Sequence, residues 1–491
     1  MSVRRYTLPT IALAAGLALT VTGCSSSDTK SGTTKTDSVN VARGANDPGS
    51  PGGEHGSEHG TEHGSEHGGA VPASDRTTTG AAEPATGEET FFAAGLSGAN
   101  EVPGGNAAVG DKDGKGTALV RIKGDQVTFG IRWEGIGAPT AAHLHLGGKG
   151  RNGEVKVPFF ASVLPGTANA VTGSVKVTDA ALLEKIKADP ASLYFNVHTG
   201  EFPGGAIRGQ LVGLARPVDV NSVLKNGTLP AEATGKQEVP NAEGKKTGDP
   251  NGRADTSVRP WGNCIDWSFS WTGVAPPTLG HLHKAAAGSN GDVVAPLFDA
   301  RGGLPQSVTG LAGTVEGIDP AVVERIDATP ANYYTNLHTG EFPGGAVRGQ
   351  LERKVTPKSP ALNLSVVAGK QIYQCTTKDG VTAFTQLDVA AKLQGDLKHS
   401  FVNPTAGPPQ WIAPDGSAVT GAVATRLPNG DGNIPELVLN ATRTGKPGLL
   451  SATIQVLRLN TQGGVAPAGT CDPASRPTAE VPYQADYLFL G

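Results

Sequence analysis

Residues 196–211 read NVHTGEFPGGAIRGQL and residues 336–351 read NLHTGEFPGGAVRGQL, differing only at Val197/Leu337 and Ile207/Val347. Upstream of each lies a His-x-His segment, His143-Leu144-His145 and His281-Leu282-His283. The first histidines of the copies are 138 residues apart, and His198 and His338 are 140 apart, so the chain states one module twice.

Around that stretch the residues alternate. Ala118, Val120 and Ile122, a Gly124-Asp125 turn, then Val127, Phe129, Ile131 and Trp133 predict an antiparallel hairpin with one buried face. Ile265, Trp267, Phe269 and Trp271 repeat its return strand. Asn152-Gly153 and Asn290-Gly291 mark tight turns after the His-x-His strands. Each copy also predicts one helix. Asp179 precedes Leu182, Leu183 and Ile186; Asp319 can cap, Pro320 suits the first helical position, and Val322, Val323 and Ile326 form the apolar stripe. Pro190 and Pro330 end these helices.

Short alternating strands, frequent turns and a single helix predict a Greek-key-like β-sandwich over 89–213 and again over 231–352. Residues 214–230 and 353–360 read as polar, proline-bearing linkers. Over 361–491 the histidine motif does not recur, but QIYQC at 371–375, QWIAPDGSAVTG at 410–421, SATIQVLRLN at 451–460 and VPYQADYLFL at 481–490 are strand-like. They predict a third, all-β domain closed by its C-terminal strand.

A chain of 491 residues holds about three domains at roughly 150 residues each. With 18% charged residues and a net charge of −4, it has no basic field to attract nucleic acid. At the N-terminus Arg4 and Arg5 precede an apolar run from Leu8 to Val21, and Val21-Thr22-Gly23-Cys24 follows, the pattern of an export signal over 1–24. Residues 25–88 are too polar to offset their ordering entropy, which predicts a disordered tether. Within it His55, His59, His63 and His67 recur every fourth residue, a secondary metal-binding tract or a solvated spacer.

The chemistry rests on histidine. Residues i and i+2 of a strand share a face, so His143 and His145 present two imidazoles together, as do His281 and His283. A third, His198 or His338, completes a three-nitrogen site if its strand is adjacent. Such a set suits copper, zinc or nickel. The other reading has these histidines bonding backbone at the Gly-Gly turn and fixing the fold. Nitrogens converging to about 4 Å separate the two readings, since ligation occurs at about 2 Å.

Glu101 with Arg208, and Glu238 with Arg348, repeat at equivalent places and predict ion pairs tying the first strand to the last. Export favours a disulfide between Cys375 and Cys471. Cys264, left over, precedes the buried alternation and should face away from it, as a free thiol or a link to another chain. No nucleophile elbow, phosphate loop, dinucleotide fingerprint or zinc-protease helix occurs, which points away from an enzyme.

These motifs resemble known families. The stretch at 21–24 resembles a bacterial lipobox, which implies a diacylglyceryl group on Cys24 and a protein lipid-anchored to the outside of the cell membrane. His-Leu-His, Asn-Gly and HTGEFPGG-x-x-RGQL resemble the CHRD domain of chordin and of bacterial exported proteins, over roughly 90–213 and 228–352. That resemblance implies β-sandwiches and an extracellular role, binding a protein or small-molecule ligand without established enzymatic activity. Residues 361–491 resemble a secreted bacterial and fungal family whose function is not established. Each module is also weakly similar to Cu/Zn superoxide dismutase, which implies His143, His145 and His198 as copper-type ligands with Arg208 nearby. The bridging histidine and zinc ligands of that family have no counterpart here.

Overall fold

The structure is a computed structural model; it describes residues 87–224, 227–353, 361–405 and 407–491. The expected leader with Cys24, the tether to residue 86 with His55, His59, His63 and His67, and the linker over 354–360 lie outside the described residues.

The first module comprises β1 (Glu89–Ser97), β2 (Lys115–Lys123), β3 (Gln126–Glu134), β4 (Pro139–Leu146), β5 (Val155–Phe160), β6 (Ala168–Lys176), α1 (Ala180–Ala188), β7 (Leu193–Thr199), β8 (Ile207–Gln210) and the short β9 (Val212–Gly213). The second repeats it: β10 (Leu229–Thr234), β11 (Arg253–Trp261), β12 (Cys264–Thr272), β13 (Leu279–Lys284), β14 (Val293–Asp299), β15 (Val308–Val315), α2 (Pro320–Ala328), β16 (Tyr333–His338) and β17 (Val347–Gln350).

Antiparallel pairing orders the first module β6-β3-β2-β1-β8-β7-β4-β5 and the second β15-β12-β11-β10-β17-β16-β13-β14. Each is a Greek-key sandwich of two four-stranded layers joined at a corner, through Ser97↔Arg208 with Phe92↔Gly213 and Ala93↔Val212 from β9 in the first module, and through Thr234↔Arg348 in the second. The alternating residues named above fill the space between the layers, Phe129, Ile131, Trp267 and Phe269 among them. The helices cap as expected: the Asp179 carboxylate accepts from the Leu182 amide and that of Asp319 from the Ala321 amide. Their Leu183, Ile186, Val323 and Ile326 are buried.

The modules join edge to edge. β6 pairs with β15, which leaves neither strand as an open edge. The Thr167 hydroxyl donates to the Leu297 carbonyl at 2.7 Å, and its counterpart Ser307 donates to the Phe159 carbonyl at 2.6 Å. The same bond made twice, in opposite directions, is what an approximate two-fold junction requires.

The C-terminal domain is a simple meander of β18 (Leu362–Lys378), β19 (Val381–Leu393), β20 (Lys398–Phe401), β21 (Pro409–Ile412), β22 (Ala418–Leu427), β23 (Glu436–Arg443), β24 (Gln455–Gly463) and β25 (Thr478–Leu490). Each strand pairs with the next, and β25 returns to β18, closing an eight-stranded barrel. Cys375 and Cys471 form a disulfide.

Three expectations are corrected. Residues 214–224 are no polar linker: Val218, Val220, Val223 and Leu224 are buried, and 220–224 form a 3₁₀ helix. They share a core with Phe91, Ala93 and Leu119 of the first module and Leu457, Leu459 and Leu488 of the barrel. The barrel therefore docks on the outer face of β1 and β2, burying those strands on both sides. Cys264 is fully buried rather than turned outward, and it is not a free thiol. Third, Arg208 and Arg348 bond loop groups and form no ion pair with Glu101 and Glu238.

Candidate metal centre

In each module the layer β8-β7-β4-β5, or its counterpart, turns its apolar residues inward. Leu144, Phe195, Val197 and Ile207 are core. Period two then places His143 and His145 of β4, Tyr194, Asn196 and His198 of β7, and Arg208 and Gln210 of β8 on the opposite face. Register sets them side by side: His143 pairs with Asn196, His145 with Tyr194, and Asn196 with Arg208. The second copy matches, with His281↔Asn336, His283↔Tyr334 and Asn336↔Arg348.

The three imidazoles meet in both copies. His143 Nδ1 lies 3.3 Å from His198 Nε2, and His281 Nδ1 lies 3.1 Å from His338 Nε2. One ligand nitrogen from each of the three lies within 4.8 Å of the other two, in both sets. Nitrogens in trans across a square-planar copper are about 4 Å apart, and those around a tetrahedral zinc about 3.4 Å. The closest pairs already match the tighter spacing.

Hydrogen bonds to the remaining nitrogens fix the tautomers. His145 Nδ1 bonds the Gly153 carbonyl at 3.0 Å, and His198 Nδ1 bonds the Pro203 carbonyl at 2.9 Å. His283 and His338 do the same with Gly291 and Pro343. A carbonyl only accepts, so each of these Nδ1 atoms carries the proton and each Nε2 a lone pair. His145 Nε2 and His283 Nε2 are buried with no hydrogen-bond partner. Burial and the neighbouring imidazoles push His143 and His281 down to about 4, and the other four are lowered mainly by burial. All six are neutral at physiological pH, the form that ligates.

A second ring orients the first, and of it Tyr194 and Tyr334 were not singled out from the sequence. Tyr194 stacks on His145 with ring centroids 4.7 Å apart, and Tyr334 stacks on His283 at the same distance. Arg208 lies 3.4 Å over the far partner of that stack, Tyr194, and Arg348 lies 3.5 Å over Tyr334. The signal was present, because Tyr194/Tyr334, Asn196/Asn336 and Gln210/Gln350 recur at matching places in both copies.

The expected Glu101–Arg208 and Glu238–Arg348 ion pairs are not formed. Arg208 instead donates to Asn152 Oδ1 and to the carbonyls of Gly148 and Arg151, holding the loop after β4. Arg348 donates to the Ala286 carbonyl. Glu101 and Glu238 accept from Asn196 and Asn336 and sit in a low-dielectric pocket. Burial raises Glu101 to about 7 and Glu238 to about 8, outweighing the opposing pull of Arg208 and Arg348. First and last strands are tied by backbone at Ser97↔Arg208 and not by side-chain charge.

The Gly-Gly of the motif has a steric cause. Gly205 has φ +133°, and a Cβ there would lie 2.7 Å from both Glu101 carboxylate oxygens; Gly345, at +131°, faces Glu238 in the same way.

The CHRD domain model matches residues 92–211 and 229–351, and that of a protein of unknown function (DUF3455) matches residues 382–491. Neither the curated proteins nor the solved structures contain a match. The latter model begins at β19, while the barrel closes through β18, which precedes it. Two CHRD domains support a role in binding or interaction. The chain is thus a protein of two tandem CHRD domains followed by a DUF3455 domain.

Proposed function

We propose that this is an exported protein, anchored by a lipid on Cys24, whose two CHRD domains each bind one copper or zinc ion without turnover. The ligands are His143 Nδ1, His145 Nε2 and His198 Nε2 in the first domain, and the matching atoms of His281, His283 and His338 in the second. The observation that carries this reading is the buried, unpartnered Nε2 of His145 and of His283. An orphaned buried acceptor is costly; a cation shared with the Nε2 of His198 and with His143 Nδ1, whose proton now bonds His198 and would shift to its own Nε2, removes that cost, and the second copy matches. The carbonyl bonds at Nδ1 are the outer-shell partners that metal-bound histidines require. The binding role is favoured because Arg208 is committed to carbonyls and to the Tyr194 face, leaving it no part in a reaction.

Metal analysis tests this on the full chain with His55, His59, His63 and His67 changed to alanine, so that the tract adds nothing. Two ions per chain are expected, falling to one in His143→Ala/His145→Ala and to none when His281 and His283 are also replaced. Uptake that does not change in these variants sinks the metal reading and leaves the histidines as structural. Intact mass of the membrane fraction tests the anchor: a diacylglyceryl adduct lost in Cys24→Ala supports it, and an unmodified chain starting at Met1 refutes it.

A further inference from the structure

The C-terminal barrel encloses a second site unrelated to the histidine clusters. A cavity of about 260 Å³ occupies its lumen, and every one of the eight strands contributes to the wall. Eight strands give an interior that either fills with side chains or holds one small ligand. Here part of it is left open. Val423 and Arg426, both exposed, stand at the mouth. The depth of the cavity is aromatic: His399 stacks on Trp411 at 4.6 Å with the rings nearly parallel, and Tyr487 meets both edge-on.

Three of the polar residues lining this lumen, Gln371, Trp411 and Arg458, carry N–H donors. Gln371 is 3% exposed; its Oε1 accepts from Gln386 at 3.0 Å, which leaves its Nε2 buried without a partner. Trp411 is 1% exposed, and its indole Nε1 is likewise buried and unpartnered. Arg458, two residues on from the core residue Val456, shares its face and so points inward; it donates to the Pro435 carbonyl at 2.8 Å and interacts with Tyr487. Among the described residues no carboxylate is ion-paired with it, and no Asp or Glu lines the cavity. His399 donates its Nδ1 proton to the Gln410 carbonyl and is neutral, so the guanidinium is the fixed charge inside.

Two orphaned N–H groups and a guanidinium with no carboxylate partner among the described residues line one aromatic cavity, the donor set that an anion requires. We propose that the barrel lumen binds a small organic carboxylate with a flat apolar body, its carboxylate received by Arg458, Gln371 and Trp411 and its body lying along the His399–Trp411 stack. The proposal is independent of the metal sites, since it uses no residue of either CHRD domain.

Calorimetry on the full chain tests it with 2-naphthoate as probe and 2-naphthalenemethanol as its neutral counterpart. One naphthoate per chain is expected, with the alcohol at least tenfold weaker. Arg458→Met should weaken naphthoate at least tenfold, Arg458→Lys by a few-fold, and Arg443→Gln, on an exposed part of β23, not at all. The indole N–H resonance of Trp411, assigned through Trp411→Phe, should shift on naphthoate addition to the unaltered protein. That measurement stands even if an Arg458 variant fails to fold. Absence of naphthoate binding, alcohol binding of equal strength, or an unmoved Trp411 resonance would each overturn the proposal.

Discussion

Val171 of β6 and Leu311 of β15 hold the same place in the two CHRD copies and pair with each other across the junction. Their separation in sequence is that of His198 and His338, 140 residues. A strand that pairs with its own repeat at equivalent positions makes an isologous contact inside one chain. The duplicated modules are thus built as a dimer is, with one continuous sheet running through both.

That symmetry predicts matched energetics. Thr167→Val and Ser307→Ala each delete one of the two reciprocal hydrogen bonds, and each should cost about 1 kcal/mol. Urea melts of the two variants should agree closely. A loss confined to one of them would show that the junction is two-fold in backbone only.

Gly205→Ala should destabilise the first CHRD domain by roughly 2–3 kcal/mol, because the new Cβ meets the Glu101 carboxylate in a backbone conformation that L side chains resist. Gly200→Ala, in the same loop with open space around it, is the control and should be nearly neutral. Thermal melts compare them, and equal losses would remove the steric account of the Gly-Gly turn.

The buried carboxyls and the buried imidazole act on stability in opposite directions. Glu238, raised from 4.5 to about 8, keeps a proton in the fold that the unfolded chain releases. Its contribution is complete below pH 4.5 and is lost as pH rises through about 8, with a slope near 1.4 kcal/mol per unit. Glu101 does the same up to about 7. His399, lowered from 6.5 to about 3, contributes fully above 6.5, and that contribution declines as pH falls toward 3. Glu238→Gln should flatten the alkaline limb of a stability–pH curve and leave the acid limb alone. If the variant's curve runs parallel to that of the unaltered protein, Glu238 is ionised in the fold.

The disulfide closes a loop of 96 residues in the barrel. On the chain-entropy model its removal by Cys375→Ser/Cys471→Ser costs about 4–5 kcal/mol. Equilibrium unfolding of the variant against the oxidised parent measures this. A difference below about 1 kcal/mol would mean that the unfolded barrel already keeps those ends together.

Much of the site was legible because period two assigns a face directly. His143 and His145 had to point together, and the repetition of HTGEFPGG identified the third imidazole. Arg208 was misassigned to Glu101 because side-chain partners depend on loop paths: the turn after β4 folds back and offers its carbonyls at closer range. Phe91, Ala93 and Leu119 were also legible in principle. FFAAGL at 91–96 and ALV at 118–120 are nearly continuous apolar runs, the mark of a strand covered on both faces, whereas β10 and β11 alternate.

By itself the sequence determined the duplication, the strand and helix positions, the helix caps and the face on which each histidine stands, because backbone periodicity and local capping require no distant partner. Only the tertiary structure decided that β6 joins β15, that the barrel seats on β1 and β2 over residues 218–224, and that Arg458, Gln371 and Trp411 converge in one lumen. Strand edges all present the same N–H and C=O groups, so side-chain pattern does not name the neighbour; closure of the whole sheet does.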